Sequence, residues 1–138
     1  MTSRAELIDA IKKHQLYLSN KPGGERLQAR NADLSRIKMS KISLLDAVLP
    51  GANFIKAHVR GVNFDFADLF GANFVEADLE GSSFVSADLR GANMARAKLR
   101  NAPFKSQSLK RPLLKSASTK STSCKLQLIN FVVGIFNW

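Results

Sequence analysis

Ala72-Asn73-Phe74-Val75-Glu76-Ala77-Asp78-Leu79-Glu80-Gly81 is one unit of a ten-residue cadence that runs nearly unbroken from Gly51 to Leu99. A looser five-residue beat extends it from Ala32 to Phe104. Large apolar residues mark the beat at Leu44, Leu49, Phe54, Phe64, Leu69, Phe74, Leu79, Phe84, Leu89, Leu99 and Phe104, with Met39, Val59 and Met94 in the same phase. Two residues before each stands a small or branched side chain, among them Ile37, Ala52, Val62, Ala72, Ser82 and Ala92. A period of five drifts around an α-helix and breaks the alternation of a long strand. A short extended step followed by a corner accommodates it: positions separated by one residue share a face of an extended chain, so the small and the large side chain both point inward. Gly51, Gly61, Gly71, Gly81 and Gly91 each follow an inward Leu or Val by two residues, where a corner calls for positive φ. Asn and Asp before the large residue suit turns, because their short polar side chains bond neighbouring backbone. Leucine-rich and ankyrin repeats are excluded, since their periods are about 20 residues or more.

The motif Ala-(Asp/Asn)-(Leu/Phe)-x-x resembles the pentapeptide repeat family and covers about half the chain. The resemblance implies an all-β solenoid, a right-handed β-helix of quadrilateral cross-section with four pentapeptides per coil. Nearly four coils follow, and at strand-like spacing the body would be about 18 Å long. Phe and Leu would stack coil on coil with Ala filling the space beside them.

At 138 residues the chain suits one domain, divided into a helix and turn over 1–31, the repeats over 32–105, and a basic linker with an apolar end over 106–138. These carry +3, +2 and +5 of the net charge of +10. Six acids, Asp65, Asp68, Glu76, Asp78, Glu80 and Asp88, lie between Gly61 and Leu89 without a base, which predicts an acidic waist between basic ends. In the first segment Ser3 and Glu6 form a Ser-x-x-Glu capping box, Leu7, Ile11, His14 and Leu18 share a face with Ile8 and Gln15, and Asn20 to Gly24 stops the helix. The expected role is an amphipathic cap on the end of the solenoid. His14, Tyr17 and Leu18 before a glycine-rich turn are similar to a leader that precedes pentapeptide arrays in some bacterial proteins. Beyond Ser106 the repeat phase fails, and a Lys/Ser/Thr-rich stretch leads to Phe131, Val132, Val133, Ile135, Phe136 and Trp138. That end is shorter than the roughly 20 residues a bilayer span needs. Capping or self-association is the preferred reading, over membrane contact or a dispensable end.

Chemistry is sparse. Cys124 stands alone, and His14 and His58 have no nucleophile or metal partner at a recognisable spacing. Asp68, Asp78 and Asp88 recur with the repeat, so they read as turn residues; no catalytic, cofactor or metal site is expected. The opening Met1 to Asn20 has no charged start followed by an apolar run, and the expected location is the cytoplasm. The expected function is a non-enzymatic protein-binding or scaffold module with an unspecified protein partner. With the twenty-residue coil that the resemblance implies, its candidate surface is an apolar strip of Ile55, Val75 and Ala95 beside a ladder of Asn53, Asn73 and Asn93, with Leu45, Phe66 and Val85 on another face. Some members of the family imitate duplex DNA and protect type II topoisomerases. That alternative is disfavoured here, because the acids occupy only the waist of a body shorter than the ~34 Å of one DNA turn. A further alternative is non-specific nucleic-acid or membrane-surface binding through the basic ends, which lack an exposed aromatic row or helix to read bases.

Overall fold

The computed structural model describes residues 3–103. The candidate association segment Phe131 to Trp138 lies outside the described residues. Helix α1 spans Arg4–Leu18, and its N-terminus carries the capping box: Ser3 Oγ accepts from Glu6 N–H at 3.2 Å while Glu6 Oε2 accepts from Ser3 N–H at 2.7 Å. Leu7, Ile11 and His14 are buried, whereas Ile8, expected on the same face, is exposed. Asn20 takes φ 52°, and Lys21 N–H bonds back to the Leu16 carbonyl at 2.9 Å, which ends the helix.

From Gln28 onward the backbone winds in coils of twenty residues. Parallel bridges join Gln28 to Val48, Asp33 to Asn53, Lys38 to His58 and Ser43 to Asn63, and the same spacing repeats to Lys98. The ladder therefore begins ahead of Ala32. Four faces result, named by their outward bridge residues. The first holds Gln28, Val48, Asp68 and Asp88; the second Asp33, Asn53, Asn73 and Asn93; the third Lys38, His58, Asp78 and Lys98; the fourth Ser43, Asn63 and Ser83. Each step donates to one neighbouring coil and then the other, as when Asn53 N–H meets the Ala32 carbonyl at 2.8 Å and Phe54 N–H meets the Asn73 carbonyl at 2.7 Å. Backbone groups are thus paired without a long strand.

The inward columns follow the five-residue phase. Phe54 stacks on Phe74 at 4.7 Å and Phe64 on Phe84 at 5.0 Å, and the two stacks meet edge to face across the centre at 5.7–6.0 Å. Offset stacks and edge contacts are the favoured geometries of aromatic rings. Leu49, Leu69, Leu79, Leu89 and Leu99 complete the large columns, with fully buried Ala52, Ala57, Ala72, Ala77 and Ala92 beside them.

Every fifth residue from Asn31 to Asn101 has φ between 54° and 71°. Most turns close with a four-residue bond, for example Ala57 N–H to the Phe54 carbonyl at 3.0 Å. Positive φ at the third residue alone is the pattern of a type II turn. Glycines occupy two opposite corners from Gly51 to Gly91, where Asn31, Lys41 and Asn101 take their place in the outer coils, and Lys56, Phe66, Glu76, Ser86 and Arg96 adopt the same conformation at the other two. One turn is closed differently: the buried Ser82 hydroxyl, from the next coil, donates to the Val59 carbonyl at 2.5 Å and accepts from Val62 N–H at 3.1 Å.

Candidate interaction surface

The second face is built by three repeats in register. Asn53, Asn73 and Asn93 are half-buried, and each Oδ1 accepts from the backbone N–H two residues on, at Ile55 (3.1 Å), Val75 (3.2 Å) and Ala95 (3.1 Å). This side-chain bond fixes the amide and sets the following residue at the start of its corner. Asn53 Nδ2 donates to Asp33 Oδ1 at 3.3 Å, carrying the ladder one coil further. Bonds from Ser35, with smaller help from Asn53, hold the Asp33 carboxyl below its ordinary pKa. Corner bonds from Lys56 to the Val75 carbonyl and from Glu76 to the Ala95 carbonyl keep Ile55, Val75 and Ala95 in one column. Asn53, Asn73, Asn93, Ile55 and Val75 are therefore brought together.

The second proposed strip is not continuous. Leu45 and Val85 share a column with Asp65 between them, and Phe66 stands one position on, in the corner column of Asp46 and Ser86. The twenty-residue register, applied to Leu45, lands on Asp65 rather than Phe66. Asp65 is held by Val85 N–H at 2.8 Å and by the Ser83 hydroxyl, so a carboxylate sits in the column without repelling its neighbours. Phe66 is 61% exposed and Phe70, at the other end of the first face, 52%. Arg90 from the next coil lies 5.7 Å from the Phe70 ring centre and bonds Asp88 at 2.6 Å, which lowers the Asp88 pKa. Phe70 was open to recognition from its position beside a corner glycine, but its cation partner lies twenty residues away and has no local signal.

The acidic waist is charge-compensated rather than open on the third face. Glu76 lies 3.6 Å from Lys56 and 3.5 Å from Arg96, in the coils on either side. Glu80 lies 3.6 Å from Arg60 and 4.0 Å from Arg100, and buried Asp78 takes a 2.7 Å bond from Arg60. Bases that flank the acidic band in sequence stand directly beside it in space.

Helix α1 is joined to the coils through polar bonds as well as Leu7 and Ile11. His14 Nε2 lies 3.1 Å from the Leu45 carbonyl, and its Nδ1 accepts from Leu27 N–H at 3.1 Å. Gln15 donates to the Ser43 carbonyl at 2.7 Å and accepts from Ser43 N–H at 3.3 Å. Burial lowers the His14 pKa from 6.5. The ring is therefore placed as a neutral joint between elements, and Tyr17 stacks on it at 5.8 Å. Among the described residues no group of three or more His, Cys, Asp or Glu side chains is placed to hold a metal ion, and no helix is long and apolar enough to cross a membrane.

A family model described as pentapeptide repeats matches residues 30–65 and 67–105, in 8 copies. Comparison with curated proteins finds no match. Among solved structures the chain is similar to HetL, a pentapeptide repeat protein involved in heterocyst differentiation regulation from the cyanobacterium Nostoc sp. strain PCC 7120. The identity is 23% and the TM-score 0.47, over 74% of this chain and 46% of HetL. It is also similar to a pentapeptide repeat protein from the Arabidopsis thaliana thylakoid lumen, at 22% identity and a TM-score of 0.35 over 56% of this chain and 68% of that one. A third is Rfr23 from the cyanobacterium Cyanothece 51142, at 18% identity and a TM-score of 0.33 over 67% of this chain and 88% of that one. The chain thus spans less than half the length of the HetL structure.

Proposed function

This chain belongs to the pentapeptide repeat family, and from that premise we propose that it is a non-enzymatic binding scaffold whose second face docks a protein partner. The observation that carries this reading is the register of that face. Three Asn side chains, each with its carbonyl oxygen committed to its own turn, stand beside Ile55, Val75 and Ala95 in successive coils. On a chain of net charge +10, the stretch of this face from Asn53 to Ala95, where fixed amides and half-buried apolar groups carry no charge, suits protein contact better than anion contact. In this reading the coil is right-handed and α1 covers its end, with His14 and Gln15 satisfying backbone groups of the early coils.

Imitation of duplex DNA is the weaker reading, because Glu76, Asp78 and Glu80 face bases from adjacent coils. The scaffold reading is tested by quantitative affinity capture from native lysate at moderate salt. Wild type is compared with an Ile55→Asp, Val75→Asp double variant of unchanged circular dichroism. A partner retained at the same stoichiometry by the double variant would show that the second face is not the docking wall.

A further inference from the structure

The register that pairs charges farther along the third face leaves cations uncompensated near its start. The corner column reads Arg36, Lys56, Glu76, Arg96, and the bridge column reads Lys38, His58, Asp78, Lys98. Glu76 and Glu80 each lie between two bases. In the earlier coil nothing plays their part: among the described residues Arg36, Lys38 and Lys41 form no ion pair with a carboxylate. Like charges facing one another on neighbouring strands are destabilising, so Arg36 beside Lys56 is not explained by stability.

Of these cations Lys38 lines a depression of about 680 Å³, together with Met39, Ser40, Ile42, His58 and Arg60, and Lys41 stands in sequence between the lining residues Ser40 and Ile42. Its floor and rim differ in chemistry. Met39 and Ile42 are partly buried and pack against the core, while Lys38, His58 and Arg60 supply polar and cationic groups around them. The bonds from Arg60 to Asp78 and Glu80 fix its guanidinium at one side of the rim. We propose that this depression docks an acidic peptide segment of a partner protein. A carboxylate takes the place beside Lys38 and His58 that Asp78 and Glu80 fill in the following coil, and an adjoining apolar side chain covers Met39 and Ile42. A nucleic-acid backbone would engage the cations but leave that apolar floor uncovered, which favours the peptide. The inference rests on the reading of the chain as a protein-binding module and names a second surface on it.

The test is fluorescence anisotropy of the full chain with a labelled peptide of sequence Glu-Leu-Glu-Glu-Leu-Glu, its Gln-for-Glu counterpart, and a short DNA duplex of random sequence. A Lys38→Ala, Lys41→Ala variant is expected to bind the acidic peptide at least about fivefold more weakly, while Arg96→Ala, Lys98→Ala, with the same loss of charge, shifts binding less than about twofold. The Gln peptide is expected to bind measurably more weakly than the acidic one. Equal weakening by both variant pairs, undiminished binding of the Gln peptide, or no binding of the acidic peptide would overturn the proposal. Tighter binding of the duplex with the same Lys38 dependence would reassign the surface to nucleic acid. None of these outcomes bears on capture through Ile55 and Val75, so failure here leaves the scaffold reading to its own experiment.

Discussion

Phe74 and Val75 are adjacent in sequence and opposite in environment. Phe74 is fully buried, stacked on Phe54 and edge-on to Phe64 and Phe84, whereas Val75 lies half-buried on the outer wall. Phe74→Ala removes an aromatic ring from a close-packed column and is expected to cost about 3–5 kcal/mol. Val75→Ala and Phe70→Ala are expected to cost about 1 kcal/mol or less. Urea unfolding of the three variants checks this, and equal losses would show the inward register to be wrong. His14 carries a different prediction. Its neutral ring accepts from Leu27 N–H through Nδ1, so protonation there would set two donors against each other. Burial holds its folded pKa below the ordinary 6.5. Between those two values the unfolded chain binds more protons, so the His14 contribution is complete above about pH 6.5 and is lost as pH falls through that value toward the folded pKa. Urea midpoints measured from pH 8 down to pH 5 are expected to fall for wild type and to fall less steeply for His14→Gln; the same slope in both would remove His14 as the cause. A structural histidine was legible in the sequence from its apolar helical face. Its partners were not, because Leu27 and Leu45 reach it only when the first coils close.

At the level of the corner, one conformation is imposed on unlike side chains. Glycine marks some corners in the sequence, but nothing about Lys56 or Phe66 announces φ values of 55° and 57°. Closure of the coil demands them, since a turn must occur every five residues whatever side chain stands there. Gly71 has open space where a Cβ would project, so Gly71→Ala tests backbone strain alone and is expected to cost about 1–2 kcal/mol. Phe66→Gly relieves that strain at the exposed corner but adds the entropy of a glycine, and its stability is expected to stay within about 1 kcal/mol of wild type. Gly24 is constrained by space: an added Cβ would collide with the backbone of Leu16 and Tyr17. Gly24→Ala should therefore be the most damaging of the three in thermal melts. A neutral Gly71→Ala with a strongly destabilised Phe66→Gly would contradict this account of the corners. The five-residue phase made the inward columns readable, and the twenty-residue coil implied by the family resemblance made the Asn ladder and the Ile55, Val75 and Ala95 column readable, because it converts sequence spacing directly into stacking. Ser82 shows the limit. It reads as one more small inward residue, and its hydroxyl bridge across the Val59–Val62 turn depends on the distance between two coils.

For the whole molecule, the linear order of charges and their spatial order are different quantities. The run from Asp65 to Asp88 contains acids and no base, which suggests a negative girdle. Winding at twenty residues per coil places Lys56 and Arg96 on either side of Glu76, and Arg60 and Arg100 on either side of Glu80. On the third face Glu76 and Glu80 are thus each enclosed by bases, and Arg90 covers Asp88 on the first. A cationic groove shaped for duplex DNA needs long uninterrupted columns of negative charge, and bases interposed at each coil cancel the field that would steer the protein into it. We therefore expect no inhibition of a bacterial type II topoisomerase at low micromolar concentration and no protection from a quinolone, measured in a supercoiling assay with and without the drug. The net charge of +10 also favours contact with the DNA substrate itself at low salt, so the assay is repeated at increasing ionic strength. Interference that vanishes with salt would report that non-specific contact. Protection that persists would mean that the paired carboxylates still present a DNA-like surface, and the scaffold reading would give way to mimicry.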